Sequence, residues 1–438
     1  MSSETALLLM LLFMLLGIFG GVHLAFVFGG LGIIFGIIKW GIPVFSLCIL
    51  SVYQISQNFI LTAIPLFVFM GFILERSGVA DDLFSVGDLY LRRIRGGLAI
   101  ATIGGCAVFG MCTGIVAASI VTAGVIALPN MLDRGYDKRL VLGTVGAGGT
   151  LGILIPPSLL IIVYASLTSV SAGKLFAGAF APGFLLAGLY ALYIGIRAFL
   201  NPAIAPLPPE SREKIPLKTY LVELLGVAPI IFIVLAVLGV IIFGIATPTE
   251  GAATGALGAV IVVIAKRRFS LDLVKKAALR TLETTGMVSL IIITSNFFSV
   301  VFLGFGAEEL LLRFIETSGL GQWGAISLIL LIVFIAGALI DPFAILYMFI
   351  GIFTAVAEKF GWDPVWFGLI ICVCMQTAWL TPPFGYALFF LKGLNVPDIT
   401  YGDIMAGCLP FIICQIVGVV LCVIFPQIIL WVPNLIYG

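Results

Sequence analysis

Residues 92–157 read RRIRGGLAIATIGGCAVFGMCTGIVAASIVTAGVIALPNMLDRGYDKRLVLGTVGAGGTLGILIPP. Arg92, Arg93 and Arg95 precede the apolar run 98–132, and Arg134, Lys138 and Arg139 follow it. Basic residues beside membrane segments collect on the cytoplasmic face, so both ends of this run belong on one side. It enters the membrane and turns back. Folding roughly 35 residues in two gives half-helices of about 15 residues, or about 22 Å each, short of the roughly 30 Å hydrocarbon core. The tip therefore stops near mid-membrane, where bare backbone is tolerated only inside protein or beside a polar cavity. Gly110, Thr113 and Gly114 supply a flexible, oxygen-rich turn there.

The whole chain has the composition such a hairpin needs. Its 438 residues are 62% hydrophobic and 10% charged, with a mean hydropathy of +1.26, more apolar surface than a water-soluble fold could hide. The fold class is an all-α polytopic membrane protein. A net charge of +1 gives no pull toward nucleic acid. Eight cysteines lie in apolar stretches and read as small hydrophobes. Cys372 and Cys374 lack zinc-site spacing, and His23 is the only histidine, which rules out a bis-histidine haem within the chain. The ATP-binding signature G-x-x-x-x-G-K-[ST] and the G-x-S-x-G elbow are both missing from the sequence, so neither a pump nor a membrane enzyme is expected.

Outward from the hairpin, residues 6–19 and 22–39 are two apolar stretches parted by Gly20-Gly21. Residues 40–58 form an uncharged amphipathic arm suited to the membrane interface. Ala63 to Leu74 crosses inward, and residues 140–166 cross outward with Pro156-Pro157 in their interior, which should break that helix. Leu175 to Leu200 returns to the cytoplasm. A proline-rich, charged linker at 201–220 then divides the first unit, 1–200, from the second, 221–438. The second unit carries a basic amphipathic arm at 270–285, a separate crossing at 287–303, a hairpin-length run at 326–357 and a proline-interrupted crossing at 365–391. The C-terminus falls outside.

The two units share a grammar at one spacing. Gly135-Tyr136-Asp137 and Gly361-Trp362-Asp363 lie 226 residues apart, and so do Pro156-Pro157 and Pro382-Pro383. Charge alternation puts the first hairpin's ends inside and the second's outside, so these are inverted-topology repeats, each with a re-entrant hairpin and a broken helix. Secondary transporters of this build hold their site between the repeats near the bilayer centre. The expected site gathers Gly110, Thr113, Gly114, Ser119, Gly148, Gly149 and Thr150 from one repeat with Gly337, Asp341, Pro342, Thr377 and Thr381 from the other. Hydroxyls and freed carbonyls are hard ligands without titratable protons and suit an alkali cation, not a transition metal. A proton-driven carrier would show a relay of intramembrane acids or histidines; only Asp341 clearly lies within a membrane run, so sodium is favoured. Asp341 is also placed to cap a helix that begins at Pro342.

At this point the residues resemble a known family, the large membrane subunit of tripartite ATP-independent periplasmic (TRAP) transporters. The matching motifs are AIPLFVFMGFILERSG (63–78), FGMCTGIVAAS (109–119), LPNMLDRGYDKR (128–139), GTLGILIPPS (149–158), ATPTEGAA (246–253), ALIDPFAIL (338–346) and LTPPFGYALF (380–389), in the family's order. The resemblance implies an elevator-type fold of the ion transporter superfamily, sodium ions as coupling ions and a bacterial inner-membrane location. It also implies a separate small membrane subunit, a periplasmic binding protein and a small organic anion as substrate. Carried over, the cation sites fall on Gly110, Thr113, Gly114, Gly149 and Thr150, and on Gly337, Asp341, Pro342, Thr377 and Thr381. Ser119, Gly148, Ser158 and Gly385 are expected to face the substrate. Many members read S-G-S-S-V-A at the first tip, where this chain has Ile115 and Val116 in place of two serines. The alternatives are a stand-alone dicarboxylate carrier of the same superfamily and a non-transporting scaffold subunit.

Overall fold

A computed structural model describes residues 2–208, 216–382 and 385–438. Part of the linker at 201–220 and Pro383 of the second proline pair lie outside the described residues. The first repeat runs α1 (Ser3–Phe19), α2 (Leu24–Trp40), α3 (Val44–Ser56), a 3-10 turn η1 (Phe59–Thr62), α4 (Ala63–Glu75), α5 (Val79–Leu91), α6 (Gly97–Thr113) and α7 (Val116–Asp133). It continues through α8 (Lys138–Thr150), a second 3-10 turn η2 (Leu151–Ile153), α9 (Leu159–Leu167) and α10 (Ala172–Leu200). The second repeat runs α11 (Leu217–Ile242), α12 (Pro248–Ala265), α13 (Leu271–Gly304), α14 (Ala307–Thr317), α15 (Gln322–Gly337), α16 (Pro342–Phe360), α17 (Pro364–Leu380), α18 (Tyr386–Gly393) and α19 (Tyr401–Ile424). A last helix, α20 (Gln427–Tyr437), follows it.

The spacing seen in two short motifs extends to the elements. Helices α7 and α16 begin 226 residues apart, as do α8 and α17. Packing obeys the same symmetry: α4 packs on α12 while its counterpart α13 packs on α2, and α7 meets α18 while α16 meets α9. Each repeat thus completes the other's core. The shared Gly-aromatic-Asp motif now has a physical reason. Gly135 and Gly361 follow the second hairpin helices with φ of +77° and +67°, a left-handed conformation that glycine adopts without strain. Two residues on, Asp137 caps α8 by accepting from the Arg139 and Leu140 amides, and Asp363 caps α17 through Val365 and Trp366.

Seven helices among the described residues are long and apolar enough to cross a bilayer, or eight if a bent pair is counted as one span. That pair is α3 and η1–α4, which meet at 58°. Asn58 makes the corner, its side chain accepting from the Ile60 amide at 3.1 Å and donating to the Ser166 carbonyl at 3.1 Å. Phe45, Ile49 and Tyr53 on α3 stay exposed, as an arm at an interface requires. The second arm differs from expectation. Residues 270–285 and 287–303 are not two elements: Leu271–Gly304 is one 34-residue helix. Gly286 is the sole helix-weakening residue near the expected boundary, and one glycine costs only about 1 kcal/mol relative to alanine, too little to break a helix packed along α2, α4 and α16. At 1.5 Å per residue this helix is about 51 Å long, so it extends well beyond a roughly 30 Å hydrocarbon layer.

Ion pairs pin each hairpin to the short helix before it. Arg134, at the end of α7, donates to both carboxylate oxygens of Asp88 on α5 at 2.6 and 2.7 Å. In the second repeat Lys359 on α16 pairs with Glu316 on α14, close to the symmetry-related positions. The Arg134–Asp88 pair is bidentate and three-quarters buried. Asp88→Arg should lower the thermal unfolding free energy by about 1 kcal/mol, and adding Arg134→Asp should recover most of it. A double reversal no more stable than the single one would show that the pair contributes nothing.

Candidate functional site

The first hairpin turns at Gly114, which has a φ of +60° and donates its N–H to the Gly110 carbonyl at 2.8 Å. Ile115 is extended and α7 starts at Val116. Thr113 and Ser119 are both buried, their hydroxyl oxygens 3.4 Å apart across the turn. The tip is seated against the break in its own repeat. A Cβ on Gly110 would lie 2.3 Å from the Cα of Gly152 in η2, and a Cβ on Gly152 would lie 2.5 Å from the Cα of Gly110. A Cβ on Gly149 would lie 2.3 Å from Ile120 of α7, and one on Gly148 3.1 Å from Cys106 of α6. Gly110, Gly148 and Gly149 are thus gathered by close contacts that leave no room for a side chain, with Thr150 next in the chain.

The break itself spans η2 and a cis Pro156-Pro157 peptide, after which α9 restarts. Ser158 caps α9, accepting from the Ile161 amide at 3.3 Å and donating to the Ile153 carbonyl. Thr150 is fully buried and donates to the Ala147 carbonyl at 2.9 Å, leaving its oxygen lone pairs available.

The second tip is built differently. Helix α15 ends at Gly337, and Ala338 to Ile340 lead to Asp341, which caps α16 by accepting from the Phe343 amide at 2.9 Å, with Pro342 at the first helical position. The capping role expected of Asp341 is present, and the residue is buried, 8% exposed. Gly337 lets this tip close on α17, since a Cβ there would be 2.5 Å from that of Ala378. Thr377 and Thr381 stand at the C-terminal end of α17, donating to the Cys374 and Thr377 carbonyls, each at 2.6 Å. Past the break Gly385 opens α18, its amide bonded to the Thr381 carbonyl at 3.0 Å.

Two half-sites result, each a hairpin tip against a broken helix, and the broken helices join them. A Cβ on Gly146 of α8 would meet Leu380 of α17 at 3.4 Å and Leu391 of α18 at 3.0 Å. The helix starts at the centre are unequal. Helices α9 and α16 are capped by Ser158 and Asp341, whereas α7 and α18 have no side-chain cap. Gly124 of α7 lies against Leu394 just past α18, each eight residues from its helix start, so the two uncapped N-termini sit at matching depth. Free amides and the helix dipole make such ends favourable for anions.

This architecture has solved and sequenced counterparts. A model of the family described as tripartite ATP-independent periplasmic transporter, DctM component, matches residues 7–428. The chain belongs to the DctM family. Similar proteins include the C4-dicarboxylate TRAP transporter large permease protein DctM of Pseudomonas aeruginosa, 31% identical over 88% of each chain. The ectoine/5-hydroxyectoine TRAP transporter large permease protein UehC of Ruegeria pomeroyi is 31% identical over 86% of this chain and 87% of that one. The sialic acid TRAP transporter permease protein SiaT of Haemophilus influenzae is 28% identical over 88% of this chain and 61% of its own length. Among solved structures, the YdaH transporter of Alcanivorax borkumensis superposes with a TM-score of 0.61 at 16% identity, covering 96% of this chain and 98% of that one. The chain is therefore a multi-pass membrane component of a secondary transport system.

Sequence reasoning missed several buried polar residues of this chain. Gln376 on α17, Gln415 on α19 and Tyr190 on α10 are fully buried, and both side-chain polar atoms of Gln376, the Gln415 Oε1 and the Tyr190 hydroxyl have no well-aligned hydrogen-bond partner among the described residues. Leaving such an atom unpaired costs about 1–3 kcal/mol. Trp379 and Tyr386 face each other across the second break with ring centroids 5.4 Å apart. The available signal was a polar side chain inside an apolar span, which is expensive and therefore marks function.

Proposed function

We propose that the chain is the sodium-coupled membrane subunit of an importer of small organic anions, working by an elevator movement of its hairpin core. The observation that carries this reading is the pair of half-sites, each a hairpin tip closed on a broken helix by glycine contacts and lined with hydroxyls, carbonyls and one carboxylate. That donor set suits an alkali cation, and the two uncapped helix starts of α7 and α18 supply positive ends for a carboxylate. Two of the three relatives described above are named for acids, a C4-dicarboxylate and sialic acid. The corner between α3 and α4, with an exposed apolar arm before it, offers a hinge between a fixed scaffold of α1, α2, α11 and α12 and a moving core. A small membrane subunit and a periplasmic binding protein complete the tripartite system. The whole sits in the bacterial inner membrane, with the C-terminus on the periplasmic side.

Thr150→Val and Thr377→Val each remove one ligand oxygen while keeping side-chain volume. Each should reduce sodium-dependent uptake by about tenfold or more, with the thermal unfolding profile in sodium-free buffer preserved. Uptake at the wild-type rate in both variants would show that the cation sites lie elsewhere.

A further inference from the structure

Between the two half-sites, the buried side chains of Tyr190 and Gln415 form a row from Thr150 to the main chain of Gln376. Gln415 on α19 donates its Nε2 to the main-chain carbonyl of Gln376 at 3.1 Å, one peptide before Thr377. On its other side the Gln415 Oε1 has no donor. The Tyr190 hydroxyl faces it and also faces Thr150, the threonine of the first half-site. It makes a well-aligned hydrogen bond with neither. All four residues are fully buried, and the Tyr190 ring is held edge-on against Phe411 with centroids 5.5 Å apart. An unpaired donor and an unpaired acceptor thus belong to neighbouring side chains in the buried core.

We propose that Tyr190 and Gln415 are positioning residues that make the two cation half-sites cooperative. The inference rests on the sodium-coupled reading above. A phenol has one proton and two candidate acceptors here, the Thr150 Oγ1 and the Gln415 Oε1. A cation on Thr150 draws on that oxygen's lone pairs and makes it the poorer acceptor. The Tyr190 proton then goes to Gln415. An amide whose oxygen accepts becomes a stronger donor through its nitrogen, so Gln415 tightens on the Gln376 carbonyl. That fixes the last turn of α17, where Thr377 and Thr381 present their oxygens. Run in reverse, loading the second half-site favours the first, as linkage requires. The donor content of the row argues against its being a third cation site, because a phenol proton and amide N–H groups would point at the ion.

The test uses the complete transport system in proteoliposomes, with initial uptake measured against external sodium. Tyr190→Phe removes the proton and keeps the ring on Phe411. It should raise half-saturating sodium by about fivefold, the weight of one net hydrogen bond, and bring the Hill coefficient toward 1. The maximal rate should stay within about twofold, and sodium-free thermal unfolding should be unchanged. Gln415→Leu cuts the same row at its other end, and the double variant should be no worse than the poorer single one. A wild-type sodium curve in Tyr190→Phe overturns the proposal even if Gln415→Leu fails to fold, and so do additive effects in the double variant. Wild-type uptake that depends on sodium with a Hill coefficient of 1 removes this link alone. Wild-type uptake indifferent to sodium removes the sodium-coupled reading together with it.

Discussion

Replacing external sodium with potassium should reduce uptake by the assembled system about a hundredfold. In the proposed mechanism both half-sites are filled before the core moves, and discrimination of about 1.4 kcal/mol at each is a factor of ten per site. The energetic purpose is clear from the same figures. Each sodium ion entering down a 100 mV potential releases about 2.3 kcal/mol; a monoanionic substrate cancels one of two such charges, so the potential alone supports roughly a fiftyfold concentration, to which the sodium gradient adds. Initial rates in proteoliposomes holding the chain, its small membrane partner and the binding protein would measure this. Full-rate uptake in potassium would defeat sodium coupling. Uptake that persists without the binding protein would instead favour a stand-alone carrier built on the same fold.

Gly110→Val should abolish transport, leaving under about one-hundredth of the wild-type rate, in a protein that still folds. Position 110 has no room for a side chain, since its Cβ would lie 2.3 Å from the Cα and 2.8 Å from the backbone nitrogen of Gly152. Both obstacles are main chain, so no rotamer change relieves them. The hairpin tip must shift by something like 1 Å, and a misplacement of that size costs about a hundredfold where geometry is exacting. The same helix supplies its own control. Gly104 is exposed, and a Cβ there would meet nothing within 4 Å, so Gly104→Ala should leave uptake unchanged and stabilise the helix by about 0.5–1 kcal/mol. Wild-type transport by Gly110→Val would mean that the tip does not need its contact with the break.

Much of this was legible in the chain because it depends on local chemistry. Positive residues on both sides of 98–132 announced a re-entrant hairpin, and the turn falls at Gly114 within that run. Length would have misled: α7 and α16 are 18 and 19 residues long, enough to pass as spans, and only the turns at Gly114 and Asp341 fold them back on α6 and α15. Asp341-Pro342 was recognisable as a cap for the same reason, since a cap involves neighbours a few residues apart. The second arm was misread because amphipathic character at 270–285 says which face is polar, not where a helix ends. Its continuity comes from packing along α2, α4 and α16.

By itself the sequence determined the membrane class, the 226-residue repeat, the places where helices break and the oxygen-rich character of the tips. These follow from composition, charge and the few residues that can cap or interrupt a helix. Only the tertiary structure decided that each tip closes on its own repeat's break, that two of four central helix starts are left uncapped, and that Tyr190 and Gln415 stand between Thr150 and Gln376. Those facts are contacts between segments far apart along the chain, such as positions 150, 190, 376 and 415. Their distances are set by how whole helices pack, which no local pattern of residues encodes.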